Sequence, residues 1–235
     1  MSIALPIKPI LLVQDWGEMD YLTAWQKQRQ LQEEIIAIKL ANKENPAVVA
    51  ANYIIFCTHP PTYTIGKSGK TEHLLLSQEE LEAKKIAYYR VDRGGDITFH
   101  GDGQLVVYFI WDLEQFKTDL HWFIRTLEAV LIDTLQNYNI VAERYIGHTG
   151  VWVDAALPNA RKIAAIGLRC SRWVSMHGIA LNVNTNLAYF DHIIPCGIVD
   201  KAVTSMQQEL QICIAMPALS TILYNNVQKH FVDME

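Results

Sequence analysis

No run of about eighteen apolar residues occurs in this 235-residue chain, so nothing in it reads as a membrane-spanning helix. Basic charge is not in excess either, and a net charge of −5 argues against a nucleic-acid binder. The four cysteines, Cys57, Cys170, Cys196 and Cys213, form no CxxC pair, which removes zinc-ribbon and thioredoxin-like readings. No HExxH or comparable ligand spacing is present, so neither a metal site nor a cofactor is expected. Repeats, low-complexity tracts and obvious linkers are missing as well. The opening MSIALPIKPILLVQD has no basic n-region and no small-residue cleavage site. The expectation is a reduced, cytoplasmic protein forming one domain over residues 1–235. With 50% apolar and 19% charged residues, it can bury a core without staples.

What is present reads as mixed helix and strand. Residues 20–43 carry a helical stripe of Tyr21, Leu22, Trp25, Leu31, Ile35, Ile38 and Leu40. AANYIIFC (50–57) and PTYTIG (61–66) read as strands, and Ser77 with Glu80 forms a capping box for a short helix. IAYYRVD (86–92) and QLVVYFIWD (104–112) are the clearest strands; 119–138 is an amphipathic helix. IVAERYI, TGVWVD, KIAAIGLRC and WVSMHGIALNVN follow as four strand candidates, and a helix closes the chain after Pro217. Regular βαβ alternation is absent. The pattern predicts an α+β fold with a mixed, largely antiparallel sheet and flanking helices, packed on one side.

Three features could carry chemistry. In RVDRGGDITFHGDGQLVVY (90–108), Gly94, Gly95, Gly101 and Gly103 lie within ten positions, among Arg93, Asp96, Thr98, His100 and Gln104. This is either a glycine-rich hairpin or a loop whose backbone approaches a ligand closely. It is not a phosphate loop, since GxxxxGK[ST] is absent, nor a dinucleotide fingerprint, since no helix follows. Cys196 stands between Pro195 and Gly197, an unusual place for a packed structural thiol. Lys162 opens a strand candidate, where lysine is ordinarily a solvated charge. If a loop brought Cys196 to it, the ammonium would favour thiolate. His59, His100 and His177 read as hydrogen-bonded structural residues or as bases. Cys57, Cys170 and Cys213 read as buried packing residues.

Together these segments resemble one family, the lipoyl(octanoyl) transferases. The match runs through Arg93, Gly94, Gly95, Thr98, His100, Gly101, Gly103, Gln104 and Tyr108, preceded by HPPTYTIGKSGKTEHLL (59–75). TGVWV, RKIAAIGLR, HGIALNVN and PCGI follow in the family's order, and the resemblance covers roughly residues 10–225. One departure is Asp102, where the family has proline, which removes a φ restraint and adds a negative charge.

The resemblance implies a fold like the catalytic domains of biotin and lipoate protein ligases. It implies transfer of an octanoyl group from octanoyl-acyl carrier protein to a lysine of a lipoyl domain, in 2-oxoacid dehydrogenase complexes or the glycine-cleavage H protein, by a monomer. Cys196 matches the acyl-thioester nucleophile and Lys162 the lysine that lowers its pKa, with Arg161 adding positive charge. Arg93, Gly94, Gly95, Asp96, Ile97, Thr98, Phe99 and His100 match the first acyl-binding segment. Ala165, Ile166 and Gly167 match the second, and Gly178, Ile179 and Ala180 the third. On this reading thiolate attack exchanges one thioester for another, and aminolysis to the amide runs downhill without ATP. Lys162, once neutral, is the expected proton acceptor for the incoming lysine, ahead of His100. Lys67, Lys70, Lys84, Lys85 and Arg90 are candidates for a local docking patch toward acidic partners. The competing readings are an ATP-dependent ligase of the same fold, a non-catalytic acyl-binding protein, and a transferase working between lipoyl domains.

Overall fold

The computed structural model describes residues 9–42, 48–194 and 202–233. Its largest element is a sheet with strand order β1-β2-β6-β10-β9-β8-β7, and its second is a three-stranded sheet of order β4-β3-β5. The strands are β1 (Leu11–Glu18), β2 (Asn52–Thr58), β3 (Thr62–Ile65), β4 (Ala87–Arg90), β5 (Ile97–His100), β6 (Gln104–Ile110), β7 (Ala142–Tyr145), β8 (His148–Val153), β9 (Arg161–Ser171), β10 (Val174–Asn182) and β11 (Ala202–Val203). Most pairings are antiparallel; β1 with β2, β3 with β4 and β11 with β9 are parallel. The sheet is therefore mixed and largely antiparallel, as the pattern predicted.

The helices are α1 (Tyr21–Asn42), α2 (Gln78–Ala83), α3 (Leu120–Gln136), α4 (Met206–Leu210) and α5 (Met216–Phe231). α1 covers one face of the large sheet and α3 and α5 the other, which corrects the one-sided expectation. β6 decides this, since every one of its residues is buried. Leu105, Val107 and Phe109 pack with Leu127, Leu131 and Leu223 from α3 and α5. Val106, Tyr108 and Ile110 point the other way, toward Ala24 and Ile35 of α1. A strand apolar at every position needs cover on both sides.

Local chemistry sets several boundaries. Ser77 and Glu80 make the predicted capping box at α2. α5 begins at Met216, so Pro217 sits in its first turn, where a missing N–H costs nothing. β1 is an edge strand with exposed residues and a register shift between Asp15 and Glu18, which blurs its sequence signal. Cys213 is exposed, not buried. Its neighbour Ile214 turns inward instead, with its backbone held by the Asn184 side chain at 2.9 and 2.8 Å.

Candidate acyl-binding site

A cavity of about 530 Å³ opens between the two sheets, within the range of small-molecule sites. Its floor is a row of small residues. Gly178 on β10 pairs across to Tyr108 on β6 and Gly167 on β9; Ala180 pairs with Val106 and Ala165. Larger side chains do not fit at the two glycines. A Cβ on Gly178 would overlap the Val107 carbonyl oxygen, and one on Gly167 would sit 3.0 Å from Arg93 Cδ. Glycine at 167 lets the 93–95 loop lie on β9, where Gly94 N–H donates to the Leu168 carbonyl at 2.8 Å.

All the expected acyl-binding residues except Gly94 and Phe99 line the cavity, and Lys162 does too. Gly94 is occupied by its backbone contact to β9. Phe99 stacks on Tyr189 at 4.5 Å within the small sheet's own core. Strand alternation turns it away from the face that carries Thr98 and His100. Arg93 is buried and serves as a clamp: Nη2 donates to Thr64 O at 2.7 Å and Nη1 to Gly94 O at 2.9 Å.

Asp102 is exposed and does not line the cavity. It occupies the second position of a turn closed by Gln104 N–H to Gly101 O at 3.1 Å, with Gly103 at φ +76° in the third. A positive φ at the third position marks a type II geometry, whose second position favours proline. This accounts for proline as the family's preference there and places the Asp102 carboxylate outside the cavity lining.

His100 is fully enclosed. Gln104 Nε2 donates to Phe99 O and Asn182 Oδ1, both at 3.0 Å, so its Oε1 accepts from His100 Nδ1 at 2.9 Å. His100 Nε2 then faces the Thr64 hydroxyl at 3.3 Å. Burial, reinforced by the nearby Arg93 charge, holds His100 well below the usual imidazole range. With both nitrogens engaged, it is a structural residue and not a poised base. The network continues from Asn182 to Thr204 O at 3.0 Å and from Thr204 N–H to Lys162 O at 2.9 Å. His59 is likewise structural: Nδ1 donates to Met19 O at 2.6 Å, and Nε2 accepts from the cavity-lining Tyr108 hydroxyl at 2.5 Å.

Lys162 lies at the start of β9, with its Nζ 4.8 Å from the centre of the Trp152 ring. Arg161 faces the other way along the strand, as alternation requires. It is bound to Glu209 at 2.6 Å and Asp154 at 2.5 Å, so it contributes no free positive charge, contrary to the expectation. Cys196, with Pro195 and Gly197, lies outside the described residues. The described chain on either side is held at the cavity. Ile194 N–H donates to His73 O at 2.8 Å, and Val203 pairs with Lys162.

Several lining residues were not expected at the site: Tyr21 from the start of α1, His73 beside the small sheet, Gly147 from the β7–β8 turn, and His148 and Thr149 from the start of β8. Their positions depend on packing between distant segments. Among the described residues, no group of three His, Cys, Asp or Glu side chains is placed to hold a metal ion.

This sheet order, with helices on both faces and a small-residue cavity beside the second sheet, is the fold of lipoate and biotin protein ligase catalytic domains. A bi-partite lipoate protein ligase from Thermoplasma acidophilum, described with its E2 lipoyl domain, superposes with TM-score 0.69 at 14% identity, over 94% of this chain and 84% of that one. Biotin protein ligase from Aquifex aeolicus, in complex with biotin and ATP, superposes with TM-score 0.51 at 13% identity, over 94% and 69%. In sequence, residues 20–228 match the family described as "Lipoyl protein ligase A/B catalytic domain". An octanoyltransferase of Cytophaga hutchinsonii is 50% identical over 225 residues, 94% of this chain and 92% of the relative. The chain belongs to the lipoyl protein ligase A/B catalytic domain family, among its octanoyltransferases.

Proposed function

We propose that this enzyme takes an octanoyl group from the thioester of octanoyl-acyl carrier protein and passes it to a lysine of a lipoyl domain, through a thioester on Cys196. The observation that carries the reading is the glycine- and alanine-floored cavity with Lys162 on its wall, joined to a relative at 50% identity that is named octanoyltransferase. The flanking residues support it: Ile194 is tied to His73 and Val203 pairs with Lys162, both at the cavity.

Lys162 is the group that stabilises the Cys196 thiolate. The thiolate attacks the donor thioester carbonyl, the carrier's thiol leaves, and the acyl chain lies along the small-residue floor. Burying that chain contributes about 0.8 kcal/mol per methylene. Arg93, by clamping Thr64 and Gly94, keeps the loop against the chain. Acceptors are lipoyl domains of 2-oxoacid dehydrogenase complexes and the glycine-cleavage H protein, and the reaction takes place in the cytoplasm. No helix among the described residues is long and apolar enough to cross a membrane.

The test is intact mass after mixing the protein with octanoyl-acyl carrier protein, without acceptor or ATP, beside Cys196→Ala. The expected result is an octanoyl adduct on the parent, missing from the variant and discharged by a lipoyl domain. Transfer that appears only with ATP and free acid, with no adduct, would mean a ligase and would leave Cys196 a structural residue.

A further inference from the structure

Ile146 is 97% exposed, and Gly147, His148 and Thr149, which follow it, line the cavity. It belongs to the two-residue loop that joins β7 to β8 after the pair Tyr145–His148, with Gly147 at φ +80°. Such a loop needs glycine where φ is positive and asks for nothing apolar at its other position. With its side chain in water, Ile146 adds no packing, so the fold does not account for isoleucine there.

The loop is held at the Lys162 end of the cavity. Lys162 Nζ lies over the Trp152 ring, and Trp152 packs on Tyr145 and His148, the two residues that flank the loop, with ring centroids 5.0 and 6.1 Å away. On the side of the small sheet, the segment before α2 presents a second such residue. Leu75 is 54% exposed, two positions after the lining residue His73, and its N–H donates to His192 O at 2.9 Å, which fixes it beside the cavity. Lys67 and Lys70 are exposed on the same segment. One exposed apolar residue is ordinary on a protein surface. Two of them, from different sheets, next to the lining of one cavity and beside exposed lysines, have the make-up of a contact patch with an apolar centre and a charged rim.

The two protein partners of the proposed reaction differ in reach. The donor's thioester hangs on the carrier's long flexible arm, so the carrier's body stands off from the cavity. The acceptor nitrogen ends a four-carbon stem, so the acceptor's folded body must lie against the cavity mouth. Resting on the transfer reading above, we propose that Ile146 and Leu75 are the apolar contacts that dock the acceptor lipoyl domain at the Lys162 end of the cavity. The carrier protein does not use them.

The test compares the full-length parent with Ile146→Ser, Leu75→Ser and the double variant. Both side chains are exposed, so thermal unfolding should be unchanged. Binding is read by titration with a lipoyl domain whose acceptor lysine is replaced by arginine. The double variant should raise its Kd, and the KM for the unaltered lipoyl domain, by about 10-fold. Its kcat and its KM for octanoyl-acyl carrier protein should stay within about 2-fold, since only ground-state binding of the acceptor is lost. Unchanged Kd and KM for the lipoyl domain would overturn the proposal. A raised KM for octanoyl-acyl carrier protein with the acceptor's unchanged would also overturn it, and would give the surface to the donor. A parent that forms no octanoyl adduct would sink the covalent route alone, because the titration with the arginine domain still decides the docking.

Discussion

Glu128 offers a demanding test of how the cavity wall is held. It is a carboxylate in the interior of α3, completely buried, and three donors reach it. Gly150 N–H donates to Oε1 at 3.0 Å, while Arg125 and Arg144 donate to Oε2 at 2.7 and 3.0 Å. Gly150 lies on β8 directly after His148 and Thr149, which with Gly147 of the preceding turn line the cavity. In Glu128→Ala the Gly150 N–H is left buried and unpaired, which costs about 1–3 kcal/mol. The lost methylene adds about 0.8 kcal/mol. The two arginine side chains are 34% and 45% exposed, so they turn to water and add at most about 1 kcal/mol. The sum is about 3 kcal/mol, or roughly 10 °C in Tm for a chain of this size. Glu128→Gln keeps the volume and an acceptor for Gly150 and should lose about half as much. Urea and thermal unfolding of both variants measure this, alongside transfer rates well below their Tm, which should fall because the turn shifts. A loss under about 1 kcal/mol for the alanine variant, or turnover unchanged in both, would refute the claim that Glu128 holds the wall.

Two further predictions follow from charge. Burial, with the positive charges of Arg93, Arg169 and Arg29, lowers His177 to about 3, although its Nε2 sits 3.0 Å from Asp92. Asp92 is itself paired with Arg169, so its charge does not offset the burial. The unfolded chain takes up this proton near pH 6.5 and the folded one only near 3. Its contribution is therefore complete above about 6.5 and is lost as pH falls toward 3, by up to about 1.4 kcal/mol per unit. His177→Asn, which tolerates the positive φ at this position, should reduce the acid-side slope of unfolding free energy by that amount; an unchanged slope between pH 6 and 4 would contradict it. Lys67 and Lys70 are exposed on the segment whose Ser68 and His73 reach the cavity. Reversing both charges should slow acyl transfer most at low salt, and identical parent and variant rates across salt concentrations would remove the docking patch.

Much of this was legible from local chemistry. The capping box at Ser77 and Glu80 needs only residues three apart, and it formed as read. The continuous apolar run of β6 also carries the information that both sheet faces are covered, which the lack of βαβ alternation obscures. β5 was hidden because its four residues sit inside the glycine-rich segment. Cys213 was misread because an apolar neighbourhood does not say which residue turns inward; the Asn184 side chain settles that in favour of Ile214.

The sequence by itself determined the family, through several motifs in one order, and it set glycine or alanine at 94, 95, 165, 167, 178 and 180, residue types that allow close backbone approach. Only the tertiary structure decided which polar groups face the cavity. His73 and Asp96 are 23 positions apart, and Glu128 and Gly150 22. Each pair meets because sheet register and loop packing bring its partners together, and no spacing along the chain links one member of a pair to the other.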